Sequence, residues 1–557
     1  HNNLGIALKE RGDLIAAIDS YNKALKLQPN SPDIYNNLGI ALKEQGDLAA
    51  AIDSYNKALE LKCNYPEAHY NLGNALKERG DLNAAIGSYN KALELNRNYP
   101  EAHYNLGNAF QERGDSIAAI DSYNKALKLK PGYPEAHNNL GIALKEQGDL
   151  NAAIGSYNKA LILKPNYPEA YNNLGNALKE QGDLAAAIDT YNKALELKPD
   201  YPDAYNNLGI ALKGQGDLAA AIDSYNKALE LEHSYADAHY NLGNALQEQG
   251  DLAAAIDSYN KALKLGPNHL NARKNLSMTE LLACEYKSGW ERYECRFECE
   301  DGNDILDATP CCDQWRGEKL ALGSKLLLVS EQGFGDTLQF MRYALALKNQ
   351  GLRVSLCAPL KLHSLIQASG INASPLTPEK ANVVTEGVWI PLLSVPRHLE
   401  VGPENPIINE SYIKTTDALI SKWQAILVNE KRPIIALNWQ GNPHHEKTNS
   451  IGRSLPLETF AAIAQHTTAS LLSLQKGFGS EQLENCSFRD RFVSCQPQVN
   501  ETWDFLETAA IIANCDLVIT SDTSMAHLAG GMGKTTWLLL KKVPDWRWGI
   551  DGETTFW

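Results

Sequence analysis

The segment Ser521-Asp522-Thr523-Ser524-Met525-Ala526-His527 contains residue types that suit a phosphate group. It follows an apolar run and opens a helical pattern, so its backbone N–H groups and the positive end of the helix dipole can face an anion. Thr523 and Ser524 add hydroxyl donors, and Lys476 offers a compensating positive charge. We predict a diphosphate-binding loop here, with Met525 and Ala526 supplying backbone N–H groups.

Three further loops are candidates for the same site. Gly333 and Gly335 precede Asp336, and two glycines let a backbone turn tightly and approach a ligand. Asn438 directly follows a second apolar run, and Arg453 lies where another helix opens. Ligands of parallel α/β sheets bind beyond the carboxyl ends of the strands, which is where such loops meet.

Two series of short apolar runs must position these loops. The first series occupies residues 326–330, 354–356 and 388–392, and the second occupies 434–437, 470–474, 516–520 and 536–540. Helical stretches separate the runs, and this alternation predicts parallel sheets covered by helices on both faces. We therefore predict two Rossmann-like lobes, at residues 323–430 and 431–557.

An Asn-Leu-Gly segment recurs every 34 residues before these lobes, with its leucine at Leu4, Leu38, Leu72, Leu106, Leu140, Leu174, Leu208 and Leu242. In the unit at 168–201, apolar residues line one face of each of two helices, and Gly182-Asp183 separates them. Gly175 and Ala187 are small where the helices must approach. The pattern resembles the tetratricopeptide repeat (TPR), which implies an α-solenoid with a concave surface. We predict about eight repeats in residues 1–269, the first one partial.

An asparagine precedes the Leu-Gly of every unit. A column of carboxamides on the concave side would grip an extended peptide backbone, as the similar asparagine ladder of the O-GlcNAc transferases implies. Two alternatives are that duplication carries the asparagine passively, or that it bonds a neighbouring helix. The residues are Asn3, Asn37, Asn71, Asn105, Asn139, Asn173, Asn207 and Asn241, with Asn275 in a degenerate ninth unit.

Residues 270–322 are predicted to form a degenerate capping repeat and a connector. Trp290, Tyr293 and Phe297 would dock the solenoid onto the following domain. Terminal repeats are usually atypical because one of their faces has no neighbouring repeat.

Neither the histidines nor the cysteines indicate a metal site. His69, His103, His137 and His239 occupy a position that tyrosine takes in sister repeats, which favours packing over metal ligation. The cluster of Cys295, Cys299, Cys311 and Cys312 has no nearby histidine pattern, so we interpret these as reduced or buried thiols.

The bulk properties exclude several classes of protein. A chain of 557 residues is too long for one core, and a formal charge of -15 without a basic stretch argues against nucleic acid. No apolar run approaches the roughly 20 residues that span a bilayer, so we expect a cytoplasmic protein. Because His1 falls inside a repeat, we expect the natural N-terminus to precede it.

A more specific resemblance rests on five segments of the second half, which occur in the family's order over about 220 residues. They begin at Glu331, Arg453, Ser473, Asp522 and Val543, and read EQGFGD, RSLP, SLQKG, DTSMAHLAG and VPDWRW. They resemble the ADP-heptose:lipopolysaccharide heptosyltransferases in their bacterial, TPR-fused form. This implies a GT-B glycosyltransferase with two lobes, a nucleotide-sugar donor on the second lobe, and inverting transfer without a metal or cofactor. Family members continue past Trp557, so we expect the second lobe to be incomplete.

The resemblance also implies roles for single residues. Asp336 matches the general base, while Lys476, Thr523 and Ser524 match positions near the donor phosphates. His527 matches a histidine that is either structural or adjacent to phosphate. Asp336 as a plain N-cap, Arg453 as a cap or carboxylate partner, and Trp546 and Trp548 as core or hinge residues are the alternatives.

Three functions follow as hypotheses. The first is a glycosyltransferase, of hexosyl or heptosyl type with a UDP-, GDP- or ADP-sugar, whose TPR groove holds a protein or peptide acceptor. The second is an interaction scaffold with a degenerate transferase domain, and the third is a lipopolysaccharide-type transferase whose repeats recruit a membrane assembly. A dehydrogenase is disfavoured, because the glycine motif lacks a third glycine and the second run ends in Cys357-Ala358 instead of an acidic residue.

Overall fold

The computed structural model describes residues 1–298, 305–331, 333–408, 410–443, 452–550 and 555. The chain divides into two units, His1–Ser234 and Tyr235–Trp557. The first unit is entirely helical, and the second contains both helices and parallel strands. Within the described residues, no helix has the length and apolar character needed to span a bilayer.

The first unit consists of seven helical hairpins. Their first helices are α1 (Asn2–Glu10), α3 (Pro32–Gln45), α5 (Pro66–Glu78), α7 (Pro100–Glu112), α9 (Pro134–Glu146), α11 (Pro168–Gln181) and α13 (Pro202–Gln215). Their second helices are α2 (Leu14–Leu27), α4 (Leu48–Leu61), α6 (Leu82–Leu95), α8 (Ser116–Leu129), α10 (Leu150–Leu163), α12 (Leu184–Leu197) and α14 (Leu218–Leu231).

The turn inside each hairpin has a physical cause in the Gly-Asp pair. Gly182 ends α11 with φ +93°, a conformation that glycine adopts without strain. The Asp183 side chain then caps α12 by accepting a hydrogen bond of 3.1 Å from the backbone N–H of Ala186. The break that the sequence predicts at this pair is therefore confirmed.

Each hairpin closes on a buried tyrosine of its second helix. Tyr191 is fully buried, and a Cβ placed on Gly175 would lie 2.5 Å from its ring. Gly107 and Tyr123 repeat this contact, as do the corresponding pairs of the other repeats. The prediction that the glycine of Asn-Leu-Gly permits close helix approach is therefore confirmed.

Successive first helices contact one another more extensively than successive second helices do. The first helices therefore lie on the inner side of the solenoid's curve, where neighbouring elements are closest together. This places the residues that face from one first helix to the next along the concave surface.

The second unit begins with another helical hairpin and its continuation. The four helices at its N-terminal end are α15 (Ala236–Gln249), α16 (Leu252–Leu265), α17 (Leu270–Leu282) and α18 (Tyr286–Tyr293). Trp290 in α18 is buried and donates through Nε1 to the Val401 carbonyl at 3.1 Å. Its ring meets the Trp546 ring edge-on at 5.3 Å. Tyr293 also packs on Trp546, at 5.8 Å. Trp290 and Tyr293 therefore contact the following part of the chain as predicted, Trp546 is a core residue, and the docking role of Phe297 stays a prediction.

The first sheet of the second unit has the order β1-β4-β2-β3, with every pair parallel. Its strands are β1 (Asp313–Gln314), β2 (Lys325–Val329), β3 (Arg353–Cys357) and β4 (Val388–Pro391). In the register, Leu326 of β2 lies between Val354 and Val388. The segment predicted as a connector thus contributes the edge strand β1. The accompanying helices are α19 (Phe334–Phe340), α20 (Tyr343–Asn349), α21 (His363–Ala368), α22 (Pro378–Asn382), α23 (Val395–His398) and α24 (Asp417–Ile426).

The second sheet has the order β6-β5-β7-β8, again parallel. Its strands are β5 (Ile434–Asn438), β6 (Ser470–Ser473), β7 (Leu517–Ser521) and β8 (Thr536–Leu539). Its helices are α25 (Ala461–His466), α26 (Gln496–Glu501), α27 (Phe505–Ala513) and α28 (Ser524–Gly531). One hydrophobic core includes residues of both sheets, for example Leu328 and Ala436. The prediction of strands at all seven apolar runs and of two parallel sheets is confirmed, and the GT-B architecture stays a prediction.

Candidate functional site

The asparagines of the array form a hydrogen-bonded ladder between first helices. Most of them donate through Nδ2 to a side chain of the preceding first helix. Asn173 reaches Asn138 Oδ1 at 3.1 Å, and Asn207 reaches Asn172 Oδ1 at 3.1 Å. The same pattern holds at Asn37, Asn71, Asn105, Asn139 and Asn275. Asn3 and Asn241 occupy the matching helix positions.

This geometry favours the alternative in which the asparagines bond a neighbouring helix. The ladder residues are half-buried, so part of each carboxamide still reaches the concave surface. A hydrogen bond to the neighbouring helix does not exclude a second one to a peptide, because a carboxamide both donates and accepts. The ladder therefore sets the spacing of the repeats and leaves polar atoms along the groove.

The histidines of the array are packing residues, as predicted. Nε2 of His69, His103 and His137 lies 3.1–3.3 Å from the carbonyl oxygen six residues earlier. Burial lowers the pKa of each ring. Across the described residues, no group of histidine, cysteine and acidic side chains has metal-binding geometry. Cys295 is a buried free thiol and Cys311 an exposed one, while Cys299 lies outside the described residues.

In the second unit, the Asp336 loop and the Ser524 loop abut. Asp336 lies in the first turn of α19, after β2, and Ser524 is the first residue of α28, after β7. The N-cap of α19 is Gly333, so the alternative of Asp336 as the N-cap is wrong. A Cβ placed on Gly335 would lie 3.0 Å from His527 Cδ2 and 3.7 Å from Ser524 Cα. The absence of a side chain at Gly335 therefore permits the approach of the two helices, and its predicted role beside a ligand stays a prediction. Gly333 has φ +113° and provides the turn before α19.

Asp336 pairs with Arg547, a residue that sequence reasoning missed. The Arg547 guanidinium donates to the Asp336 carboxylate and to Asp545 Oδ1 at 2.7 Å, and it lies over the Trp546 ring at 4.3 Å. The Asp336 side chain is 24% exposed, so most of it is buried. Burial raises the pKa of Asp336, while Arg547 opposes that shift and Asp545 adds to it. The sequence signal for this residue was its position between two tryptophans, two residues after Asp545.

Two predicted donor-site residues, Asn438 and Thr523, form one buried network with Gln475. Asn438 Nδ2 donates to Gln475 Oε1 at 2.8 Å, and Asn438 Oδ1 accepts from Thr523 Oγ1 at 2.7 Å. Thr523 Oγ1 also accepts from the Met525 N–H at 3.3 Å, as an N-cap. The network connects the loops that follow β6, β5 and β7, which are neighbours in the sheet. Asn438 and Thr523 therefore hold the loops together.

The predicted set of free backbone N–H groups is smaller than the sequence indicated. Met525 N–H is bonded to the Thr523 hydroxyl, and Ala526 N–H donates to the Thr523 carbonyl at 3.0 Å. Within the described part of the chain, Ser524 N–H has no recorded partner. The reason is that the N-cap turn satisfies its own amides before any anion arrives. Ser524 is thus the residue of this loop best placed to meet a phosphate.

Arg453 contacts the loop after β7, and His527 lies in the helix that this loop opens. Arg453 Nε donates to the Asp522 carbonyl, and its Nη2 lies 3.6 Å from Asp522 Oδ1. Arg453 therefore pairs with a carboxylate, which is one of the two alternatives predicted. His527 is buried and stacks on the Trp548 ring at 5.0 Å. Burial, with Arg547 nearby, lowers the pKa of His527 well below its usual value, so the ring is neutral at pH 7.

Lys476 lies beside a different group of residues. Its Nζ donates to Thr502 Oγ1. The charges of Glu507 and Asp504 act to raise its pKa. Burial lowers the pKa of Lys476 to about 8. The structure thus records Lys476 near α26 and α27, and not in contact with the Asp522 loop. A ligand that bridges the loops after β6 and β7 would be required to bring both into one site.

The repeats define a class of protein, the α-solenoids built from helical hairpins, which present surfaces for protein–protein interaction. A family model described as TPR repeat matches residues 5–46, 41–78, 73–114, 111–148, 143–182, 175–216 and 211–250. A second, described as tetratricopeptide repeat, matches residues 236–269. Residues 5–269 are therefore tetratricopeptide repeats.

Solved structures give likenesses to parts of this chain. The APC/C hetero-tetramer Cut9–Hcn1 is similar at 20% identity over 48% of this chain and 52% of that chain, with a TM-score of 0.38. This chain thus spans about half the length of that relative. MamA is similar at 32% identity over 30% of this chain and 97% of that chain, with a TM-score of 0.28. YrrB, titled a TPR protein with an unusual peptide-binding site, is similar at 24% identity over 34% and 96%, with a TM-score of 0.31. Comparison with curated protein sequences gives no match.

Proposed function

We propose that this chain is an inverting, metal-independent glycosyltransferase of GT-B architecture whose TPR groove holds a protein or peptide acceptor. One observation supports the enzyme part most strongly. The Asp336 loop and the Ser524 loop each follow a central strand of their own parallel sheet, and they lie against each other. A carboxylate and a helix start from two sheets therefore meet at the position where such folds bind ligands.

The arrangement suits transfer to a hydroxyl group. Asp336 would accept the proton as the acceptor oxygen attacks the anomeric carbon of the donor. The bond from that carbon to the phosphate oxygen breaks, and the nucleoside diphosphate leaves with the electron pair. A raised pKa makes the carboxylate a stronger base, and Arg547 fixes its position. Ser524 and Lys476 would stabilise the charge on the departing diphosphate.

The test is hydrolysis and transfer with a panel of UDP-, GDP- and ADP-sugars, using hexosyl and heptosyl donors. Asp336→Asn should lower the rate by about 100-fold or more, because it removes the base without changing the shape of the loop. Asp545→Asn is the matched control, since Asp545 pairs with the same arginine but does not belong to the abutting loops. A rate for Asp336→Asn equal to that of the control would contradict the assignment.

A second candidate function is an interaction scaffold with an inactive α/β unit. Its support is that Asp336, Lys476, Asn438 and Thr523 already have intramolecular partners. Calorimetry with UDP, GDP and ADP separates the two candidates. Nucleotide binding that is weakened by Ser524→Ala supports the transferase, and the absence of any binding supports the scaffold.

A further inference from the structure

A ladder of ion pairs accompanies the asparagine ladder on the first helices. At an intact rung, a lysine near the end of one first helix meets the glutamate 35 residues further along, on the next first helix. The pairs are Lys9–Glu44 at 3.6 Å, Lys43–Glu78 at 3.0 Å, Lys77–Glu112 at 2.6 Å and Lys145–Glu180 at 2.8 Å. Because these pairs join successive first helices, the lysine–glutamate ladder follows the concave surface.

One rung of this ladder lacks its acid. The residue 35 positions after Lys179 is Gly214, so no carboxylate occupies the partner position. Among the residues that the structure describes, none forms a recorded hydrogen bond or ion pair with the Lys179 side chain. Burial lowers the pKa of Lys179, which indicates that water solvates this ammonium only in part. The ammonium at this rung is therefore partly desolvated and has no carboxylate at its own partner position. The nearby charges are those of Lys145 and Glu180, which pair with each other.

A second rung has the opposite defect. Gln111 stands where the other rungs have lysine, and its Nε2 lies 3.4 Å from Glu146 Oε1. The other oxygen of Glu146 accepts from Ser116 Oγ at 2.9 Å. Both donors are neutral, and the described side chains supply no cation to this carboxylate. The intact pair Lys145–Glu180 lies between the two broken rungs.

We infer that the groove selects an extended polypeptide that places an acidic side chain at Lys179 and a basic side chain at Glu146. Glu146 ends α9 and Lys179 lies near the end of α11, the next first helix. Because helices pack at about 8–10 Å, the two charges are separated by about that distance. An extended chain covers that distance in about three residues. This inference rests on the peptide-binding part of the proposed function and is independent of the transfer chemistry.

The ladder itself provides matched variants. Gly214→Glu supplies the missing acid and neutralises Lys179 from within, whereas Gly214→Gln adds a side chain of the same size without charge. Gly214 is exposed, and a Cβ there would meet only the tip of Leu184, at 3.1 Å, so both variants should fold. Circular dichroism of the full chain checks this.

The experiment is selection of random displayed peptides of about twelve residues against the full chain, followed by affinity measurements on selected peptides. The enriched pool should contain an acid and a base about three residues apart. Gly214→Glu should weaken binding of a selected peptide about five- to tenfold, and Gly214→Gln should change it less than about twofold. Gln111→Lys should weaken it to a similar extent through the basic side chain.

Three outcomes decide the inference. Enrichment that disappears with Gly214→Glu but not with Gly214→Gln supports it. Enriched peptides without the charge pair, or equal binding to both Gly214 variants, overturn the inference and leave the peptide groove of the proposed function intact. A pool that stays random overturns the groove as well.

Discussion

The TPR array and the α/β unit satisfy their polar groups in different ways. In the array, the same short contact recurs one repeat apart, as Asn173 to Asn138 and Asn207 to Asn172 illustrate. In the α/β unit, the decisive contacts are single and join distant parts of the chain, as Arg547 to Asp336 does across 211 residues. The array therefore satisfies its polar groups with many equivalent contacts, and the α/β unit does so with single contacts between distant residues.

The sharpest test of this difference is a buried ion pair of the second unit. Arg296 donates to Glu331 through Nε at 2.7 Å and Nη2 at 3.0 Å, and the two side chains are 5% and 2% exposed. Arg296→Met should lower the free energy of unfolding by about 3–5 kcal/mol, because it leaves a buried carboxylate without its cation. All ten tryptophans lie at or beyond Trp290, so tryptophan fluorescence in urea reports on this unit.

Arg273→Met is the control for that measurement. Arg273 pairs with Glu298 at 2.9 Å, but the two side chains are 28% and 55% exposed. An exposed pair contributes about 0–1 kcal/mol. Equal losses in the two variants would show that charge burial does not distinguish the α/β unit.

The next effect concerns the close contact inside one repeat. Gly107→Ala would place a Cβ 2.5 Å from the buried ring of Tyr123, so we expect a loss of about 1–3 kcal/mol in unfolding free energy. Gly87→Ala is the matched control, because nothing lies within 4 Å of its added Cβ. That variant should stabilise its helix by about 0.5–1 kcal/mol. Thermal unfolding followed by circular dichroism measures both, and a loss in both would contradict the packing argument.

The pH dependence of nucleotide binding tests the α/β unit. Burial lowers the pKa of Lys476 to about 8, so the lysine is cationic at pH 7 and loses its charge as the pH rises through 8. Affinity for a nucleoside diphosphate should therefore be constant below about pH 7 and fall about tenfold by pH 9. Lys476→Arg should remove this dependence, since arginine stays charged. Calorimetry across this range would refute the role if the wild type and the arginine variant behave alike.

The smallest expected effect is a difference in unfolding free energy when the buried tyrosine hydroxyl is removed from each of two repeats. Tyr191 OH donates to Asn176 Oδ1 at 2.8 Å, whereas the buried Tyr157 OH has no hydrogen-bond partner among the described residues, because Ile142 replaces the asparagine. Tyr191→Phe should lower the free energy of unfolding by about 1 kcal/mol, whereas Tyr157→Phe should leave it unchanged or raise it slightly. Chemical unfolding of the two variants followed by circular dichroism gives the difference. Equal costs would mean that the hydrogen bond makes no net contribution.

The regularity of the array explains why the sequence predicted it so fully. A strict 34-residue period identifies the helix faces, the Gly-Asp turn and the glycine that packs on tyrosine, as at Gly175 and Tyr191. The period does not say which atom each asparagine bonds, because the partner lies on another helix at a distance fixed only by packing. The sequence therefore predicted the ladder and left its bonding open.

In the α/β unit, the strands were predictable and their connections were not. Apolar runs identified β2 to β8, but β1 is only two residues long and gives no periodic signal. The candidate site was found through loops that follow strands, such as the one at Asp336. Arg547 was missed because no local pattern connects it with a carboxylate 211 residues earlier.

The one-repeat offset of the asparagine bonds has a consequence for how such an array can change length. Every donor meets a counterpart in the preceding copy, so removing or inserting a whole 34-residue copy brings an equivalent donor and acceptor together again. Gene duplication and deletion can then lengthen or shorten the groove in whole steps without creating an unsatisfied amide at the new junction. The length of the groove can therefore evolve by one repeat at a time.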